Sequence, residues 1–342
     1  MRVKVKHITG AKLLTFFLLF LISCQSKRLD IDISQIQIEK VEIKRLDQDL
    51  FQMPSDSLTS NILQKKYGIF YTRFISSIIN KGGISDPSYI ENLRHFLADK
   101  DMREAYTSCQ QEFPELNTLE NELEDAFKHF KFYFPKREIP QVVTFMSGFN
   151  YSIVNIDHVL GIGLEMYLGP DNKFYKMIQF PRYKTLAMSK DYLLPDCIKG
   201  WMSTEFEPKT SNNNFLSQII QVGKIMYLVD AILPKVEDTL KVSYTKRQLD
   251  WCESNEFNVW THFIQQKLLY STDNSEILKY TSEGPFTAAF SKESPSRIGN
   301  WIGWQIVRAY MDKNPEVTLQ ELVDQKDAQL ILSQSKYKPK KS

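Results

Sequence analysis

Cysteine and histidine are the scarcest side chains able to carry chemistry in this chain, and the most telling of them is Cys24. Arg2, Lys4, Lys6 and Lys12 form a basic leader with no acidic residue. Leu13 to Ile22 is an apolar run broken once, by Thr15, and Leu21-Ile22-Ser23-Cys24 closes it. A bilayer-spanning helix needs ~20 apolar residues, about twice this run, so the pattern is that of an export signal removed on secretion. Aliphatic, variable, small, Cys is the order of a bacterial lipobox, in which the thiol is alkylated with diacylglycerol and the chain is then cut before the Cys. Acyl chains contribute roughly 0.8 kcal/mol per buried methylene, so two or three of them make a lasting anchor. Residues 1–23 are expected to be the signal and Cys24 the lipid-bearing N-terminus. The polar stretch 24–35, beginning Gln25-Ser26-Lys27-Arg28, is expected to be a tether. An uncleaved anchor, or an ordinary signal with a chance Cys, is the alternative. No acidic run follows Cys24 to tag the chain for surface export, which points to the periplasmic side of a membrane.

The remaining candidates for chemistry do not assemble into a known pattern. His7 lies in the leader, and His95, His129, His158 and His262 are isolated. His-Glu-x-x-His places two imidazoles on one helical face for zinc, and it is absent, as is any Cys-x-x-Cys pair. There is no Gly-x-Ser-x-Gly elbow, phosphate loop or dinucleotide fingerprint. Cys109, Cys197 and Cys252 are an odd number in apolar surroundings and read as small buried hydrophobes. Glu205/Glu207 and Asp250/Glu253 are carboxylate pairs, but one residue in four of this chain is charged, so such pairs are expected by composition. No cofactor, no metal and no catalytic residue is expected.

The elements that would position any site follow from periodicity. Removing the four basic residues of the leader from the 43 leaves 39 against 41 acidic ones. A balance so close to neutral argues against a nucleic-acid partner. Residues 36–46 alternate in part and suggest a strand, and 58–133 look helical, broken at Gly82-Gly83. Leu116, Leu119, Leu123, Phe127 and Phe130 share one face. Three short apolar runs within 139–170, the last including Leu164 to Gly169, read as a small antiparallel sheet. Helices are expected again over 190–205, 213–233, 246–270, 296–312 and 318–334. Thr245 with Gln248 forms a capping box, and Ser294-Pro295 reads as a helix start. The class is α+β, mostly helical with a small antiparallel sheet inserted near the middle. Residues 36–342 form one large domain: helical to about 135, sheet over 139–180, helical again over 185–335. Trp301, Trp304, Arg308 and Met311 form a stripe around Gly303. A glycine there costs roughly 1 kcal/mol against Ala, so it signals close packing or a ligand-facing surface.

Several segments in this order resemble the gliding-motility lipoprotein GldB family. They are the lipobox, Leu164-Glu165-Met166-Tyr167-Leu168-Gly169, Gly223-Lys224-Ile225-Met226-Tyr227-Leu228-Val229-Asp230-Ala231-Ile232-Leu233-Pro234, and Tyr244-Thr245 through Trp251-Cys252. Ser294-Pro295-Ser296-Arg297-Ile298-Gly299, Trp301-Ile302-Gly303-Trp304 and Ser335-Lys336-Tyr337-Lys338-Pro339 complete the set. The resemblance implies a non-enzymatic envelope lipoprotein whose partners are a membrane, through its lipid, and other gliding-motility envelope proteins that move and secrete surface adhesins. From these segments Gly223, Lys224, Tyr227, Arg297, Trp301, Gly303, Trp304 and Arg308 are singled out as an interaction or packing set. A fainter likeness is to predicted zinc peptidases of the zincin type. There the helix equivalent to Asp196–Phe206 carries the histidines, and a ligand Glu stands where this chain has Val222. That likeness implies a degenerate zincin-like fold, a pseudo-peptidase with its metal site replaced, and leaves an envelope hydrolase with an unrecognised active site as the competing function.

Overall fold

Side chains of a strand alternate between the two faces of its sheet, so a strand is buried throughout only when both faces are covered, and Val142, Val143, Thr144 and Phe145 are all buried. In the computed structural model, which describes residues 28–59, 61–208, 213–339 and 341, they belong to the central strand β2 (Gln141–Phe145). With β1 (Ile43–Arg45), β3 (Ile153–Ile156) and β4 (Val159–Gly163) it makes a four-stranded sheet in the order β1-β2-β4-β3. Val142 stands opposite Ile43 on one side and Leu160 on the other, and both pairings are parallel. Only β3 and β4 are antiparallel. They are joined through Asp157 and His158, both left-handed at φ +47° and +61°, as a two-residue hairpin turn with the twist of its strands demands. The sheet expected to be antiparallel and confined to 139–180 is therefore mixed, and it draws its first strand from outside that range. The hairpin is the locally legible part. Strand β2 takes the far side of β4, an inner position that gives its backbone ladder partners on both edges. The strand expected over 36–46 shortens to three residues, and Leu164–Tyr167, expected to be extended, coils into a 3-10 turn as β4 ends.

Five helices connect β1 to β2: α1 (Leu46–Phe51), α2 (Ile62–Arg73), α3 (Tyr89–Ala98), α4 (Lys100–Glu112) and α5 (Asn117–Tyr133). The helical stretch expected here is thus present but subdivided. Gly68 interrupts α2 with φ +56°, and a π-helical turn, Phe74–Ile78, follows it. The face expected on α5 is the buried one, with Leu119, Leu123, Phe127 and Phe130 inside. After the sheet come α6 (Lys173–Met177), α7 (Arg182–Thr185), α8 (Leu193–Glu205), α9 (Phe215–Ile232), α10 (Asp238–Val242), α11 (Lys246–Gln265), α12 (Asn274–Thr281), α13 (Ile298–Lys313), α14 (Leu319–Asp324) and α15 (Ala328–Ser335). Thr245 and Gln248 close the expected capping box on α11. A second box, Thr318 with Glu321, starts α14, so the single helix expected over 318–334 is two. Ser294 does not cap α13. Its hydroxyl donates to the Ser291 and Thr287 carbonyls and accepts from Thr287 N–H, closing the loop before the helix, while Arg297 takes the N-cap place with φ +57°.

The core is organised around α9. Fourteen of its 18 residues, from Phe215 to Ile232, are buried, as befits a helix apolar all round. It crosses α13 with the two backbones almost touching. A β-carbon on Gly303 would lie 1.9 Å from the Ile219 carbonyl oxygen, and one on Gly223 would lie 2.3 Å from that of Gly303. Gly303 is thus a packing glycine, facing a helix rather than a ligand. The three described cysteines are free and buried, as expected. At the N-terminal side, Arg28 donates to the main-chain carbonyls of Met311, Asn314 and Val317 at the end of α13. Leu29 and Ile38 pack against the core.

Candidate functional site

A lone Asp in an otherwise apolar helix needs partners, and Asp230 of α9 has four donors. Its Oδ1 accepts from Lys241 Nζ at 3.0 Å and Arg308 Nη2 at 2.8 Å. Its Oδ2 accepts from Trp304 Nε1 at 2.9 Å and Arg308 Nε at 2.7 Å. Arg308 extends its fork to Asp238, with Nη1 to Oδ2 at 2.6 Å and Nη2 to Oδ1 at 2.9 Å, and its guanidinium lies 3.7 Å above the Trp304 ring. Against the cost of burial, Arg308 holds the Asp238 carboxyl below its usual range. Two anions and two cations cancel, every donor has an acceptor, and the group ties α9, α10 and α13 together. This is a brace, and its four charged side chains also form part of the wall of a hollow at its side.

The eight residues singled out from the sequence therefore do not form one site. Gly223 and Gly303 make the helix crossing, and Trp304 and Arg308 belong to the brace. Tyr227 lines a hollow of about 720 Å³ beside the brace, together with Arg28, Leu29 and Asp312. Lys224 donates to the Gln325 carbonyl, and burial draws its ammonium down to about 8. Trp301 is buried in the core with its indole N–H unpaired among the described residues. Arg308 lines the same hollow as Tyr227, Lys224 lines a smaller one of about 380 Å³, and Arg297 lines a separate cleft. Cys24 lies outside the described residues. Asp230, Asp238 and Lys241 were missed, because Arg308, which joins the two carboxylates, lies 78 and 70 residues from them. The one signal was a charge inside an apolar run.

The cleft that Arg297 reaches has a volume of about 810 Å³. Helix α8 forms one wall with Asp196, Lys199, Gly200 and Ser203, and the start of β3 forms another with Ser152 and Ile153. A β-carbon on Gly200 would lie 2.8 Å from Ile153 Cγ2, so the glycine lets the edge strand close on the helix. Tyr167 is buried behind this wall. Its hydroxyl donates to Asp196 Oδ2 at 3.2 Å, and burial with that neighbouring carboxylate raises it well above the usual phenol range. Lys199 Nζ spends its three protons on Asp196 Oδ1 at 2.9 Å, Ser243 Oγ at 3.1 Å and the Lys241 carbonyl at 3.3 Å. Ser243 is left-handed at φ +58°. A serine beside a lysine can be a hydrolytic pair when the amine is free to take the proton, and here the amine is also held by the Asp196 carboxylate and the Lys241 carbonyl. Arg297 stands over the Tyr244 ring at 5.9 Å and donates to the Val242 carbonyl at 3.3 Å, and its Nε is buried and unpaired among the described residues. Tyr183, Tyr192 and Phe180 add aromatic surface, and Lys184 meets Glu283 across the mouth at 3.3 Å. Tyr151, Met177, Ile178 and Leu186, all exposed, belong to the segments bordering it.

Helix α8 is the segment that the peptidase likeness equates with a metal helix. Among the described residues no three His, Cys, Asp or Glu side chains are grouped so as to hold a metal. The histidines are dispersed: His129 Nδ1 lies 2.8 Å from the Asp125 carbonyl, His262 Nε2 lies 2.9 Å from the Tyr280 hydroxyl, and His158 is in the hairpin turn. No curated protein and no solved structure matches the chain. The family model described as gliding motility protein GldB matches residues 26–339, nearly the whole length. The mixed helical fold with its small sheet is thus one family unit, and the chain belongs to the GldB family of gliding-motility proteins.

Proposed function

We propose that this protein is an envelope lipoprotein, anchored through Cys24 and facing the periplasm, that supports gliding by holding a partner of the motility and adhesin-secretion machinery in the cleft between α8 and β3. It does so without catalysis. The observation that carries this reading is the cleft itself. It is large, lined by Tyr, Lys, Arg and Ser side chains and bordered by exposed apolar ones. Such a surface suits a peptide segment of another protein. Its hydroxyl–amine pair, Ser243 and Lys199, has the amine held also by Asp196 Oδ1 and the Lys241 carbonyl. The lipobox and the family membership supply the envelope setting.

The test is a deletion strain complemented with variants. A photo-crosslinking residue at Tyr183 or Leu186 is expected to capture one envelope protein, and Cys24→Ala is expected to leave the membrane fraction and fail to restore gliding. The competing hydrolase reading makes the opposite forecast. A serine-reactive phosphonate would label Ser243, and Ser243→Ala would lose gliding while keeping its fold and its crosslink. That result would replace the binding reading.

A further inference from the structure

The chain enters the folded domain much closer to Cys24 than the polar stretch 24–35 suggests. Arg28 already caps the C-terminal end of α13, its guanidinium donating to the Met311, Asn314 and Val317 carbonyls. Those carbonyls include the ones a helix leaves without intrahelical partners, and a cation suits the negative end of its dipole. Leu29 is packed against the core, and Leu29 and Asp30 form part of the wall of the hollow that also contains Pro234, Lys235 and Asp312. Only Gln25, Ser26 and Lys27 separate Cys24 from this seat. Four residue steps reach at most about 14 Å, whereas a free tether running to residue 36 would reach about 43 Å.

We infer that the end of the molecule formed by the last turn of α13, residues 314–317 and the 234–238 segment lies against the lipid bilayer, and that the cleft, which lies beyond α10 and at the N-cap of α13, opens away from it. This rests on the proposed lipidation of Cys24. Helix α13 has 16 residues and is therefore about 24 Å long. Its C-terminal end holds Arg28, and Arg297, at its N-cap, lines the cleft. The anchored end exposes Lys235 and Lys313 but also Glu237, Asp312 and Glu316. With the charges mixed, the short leash sets the orientation, and electrostatic attraction to anionic lipid contributes little. The arrangement holds the domain close to the membrane and presents the cleft to a partner away from it.

The experiment uses the full lipoprotein reconstituted into phosphatidylcholine vesicles that contain an acceptor dye on a fraction of the headgroups. The described cysteines are buried, so a thiol dye can be placed at Glu316→Cys or at Lys184→Cys. Energy transfer to the bilayer is expected to be at least ~3-fold greater from position 316, because it follows the C-terminal end of this helix whereas Lys184 lines the cleft that the N-cap residue enters. Inserting twelve Gly/Ser residues between Lys27 and Arg28 is expected to remove that difference, and Arg28→Ala to reduce it. Co-sedimentation with vesicles and the mass of the N-terminal peptide are read on the same samples. Protein that stays in the supernatant overturns the lipidation and the orientation together. Protein that binds the vesicles but transfers equally from both positions, or is indifferent to the insertion, overturns the orientation alone.

Discussion

At the scale of single residues the most exacting position is Glu165. It is fully buried in the turn after β4, and its Oε1 accepts from the Ser147 amide at 2.5 Å, the Ser147 hydroxyl at 2.6 Å and the Phe149 amide at 3.2 Å. Its Oε2 is buried without a partner among the described residues. Burial raises the carboxyl above its usual range, although the three donors at Oε1 oppose this. An acid whose folded pKa is raised is favoured in its protonated form. Its contribution is present below the unfolded pKa and is lost as pH rises through the folded one. The protein should therefore lose stability through this group as pH rises above the ordinary carboxylate range. Urea unfolding at pH 5 and pH 8 checks it: Glu165→Gln should improve relative to the parent on going to pH 8, and an unchanged difference between the two would dismiss the assignment. The sequence marked Glu165 only as part of a family segment, because nothing along the chain shows that Ser147 will donate to it. Gly303 was legible, since a glycine between tryptophans in a helix has a cost that only close packing offsets. Asp230 was less so, with Trp304 and Arg308 more than 70 residues away.

Elements were more legible than their arrangement. The 3.6-residue period on α5, the capping box on α11 and the apolar run of α9 each placed a helix within a few residues of its observed bounds. Strand order was not legible, because β2 pairs in parallel with β1 and β4 through long connections, and no strand's own pattern names its partner. The α9–α13 pair now has two independent attachments whose loss should differ in kind. Gly303→Ala pushes a methyl group into the Ile219 carbonyl. Overpacking of this sort costs about 3 kcal/mol or more where the obstacle is backbone, so thermal unfolding should show either a large fall in Tm or no cooperative transition. Arg308→Lys keeps the charge but cannot grip Asp230 and Asp238 at once. The buried Asp230 loses two of its four donors, and the expected loss is about 2–4 kcal/mol with the cooperative transition retained. If the lysine variant matches the parent, the brace contributes nothing to holding these helices.

For the whole molecule, the α+β, mostly helical class was legible in the sequence, and the family match spans residues 26–339. The cleft was not visible in advance, since α8, β3, the Ser243–Gln248 turn and residues 283–297 come together only in three dimensions. The buried helix α9 raises a separate question about how such a chain crosses a membrane at all. Phe215–Ile232 has a mean hydropathy of 1.3 over 18 residues, enough by length and composition to span a bilayer. A lipoprotein of the proposed kind passes the secretion channel unfolded, before tertiary contacts can hide this segment, and an apolar stretch of that length can leave the channel sideways and arrest export. Lys224 near its middle and Asp230 closer to its end oppose this, because a charge at the centre of a membrane helix costs about 2.5–3.5 kcal/mol on insertion. In the folded domain the same two side chains are matched by the Gln325 carbonyl and by Arg308, Lys241 and Trp304. The charges that the core must accommodate are thus the ones that mark the segment as cargo. Replacing both with leucine should leave the chain stalled, with everything after residue 232 inaccessible to protease added outside spheroplasts. If the double variant is exported as completely as the parent, the two charges serve the fold alone.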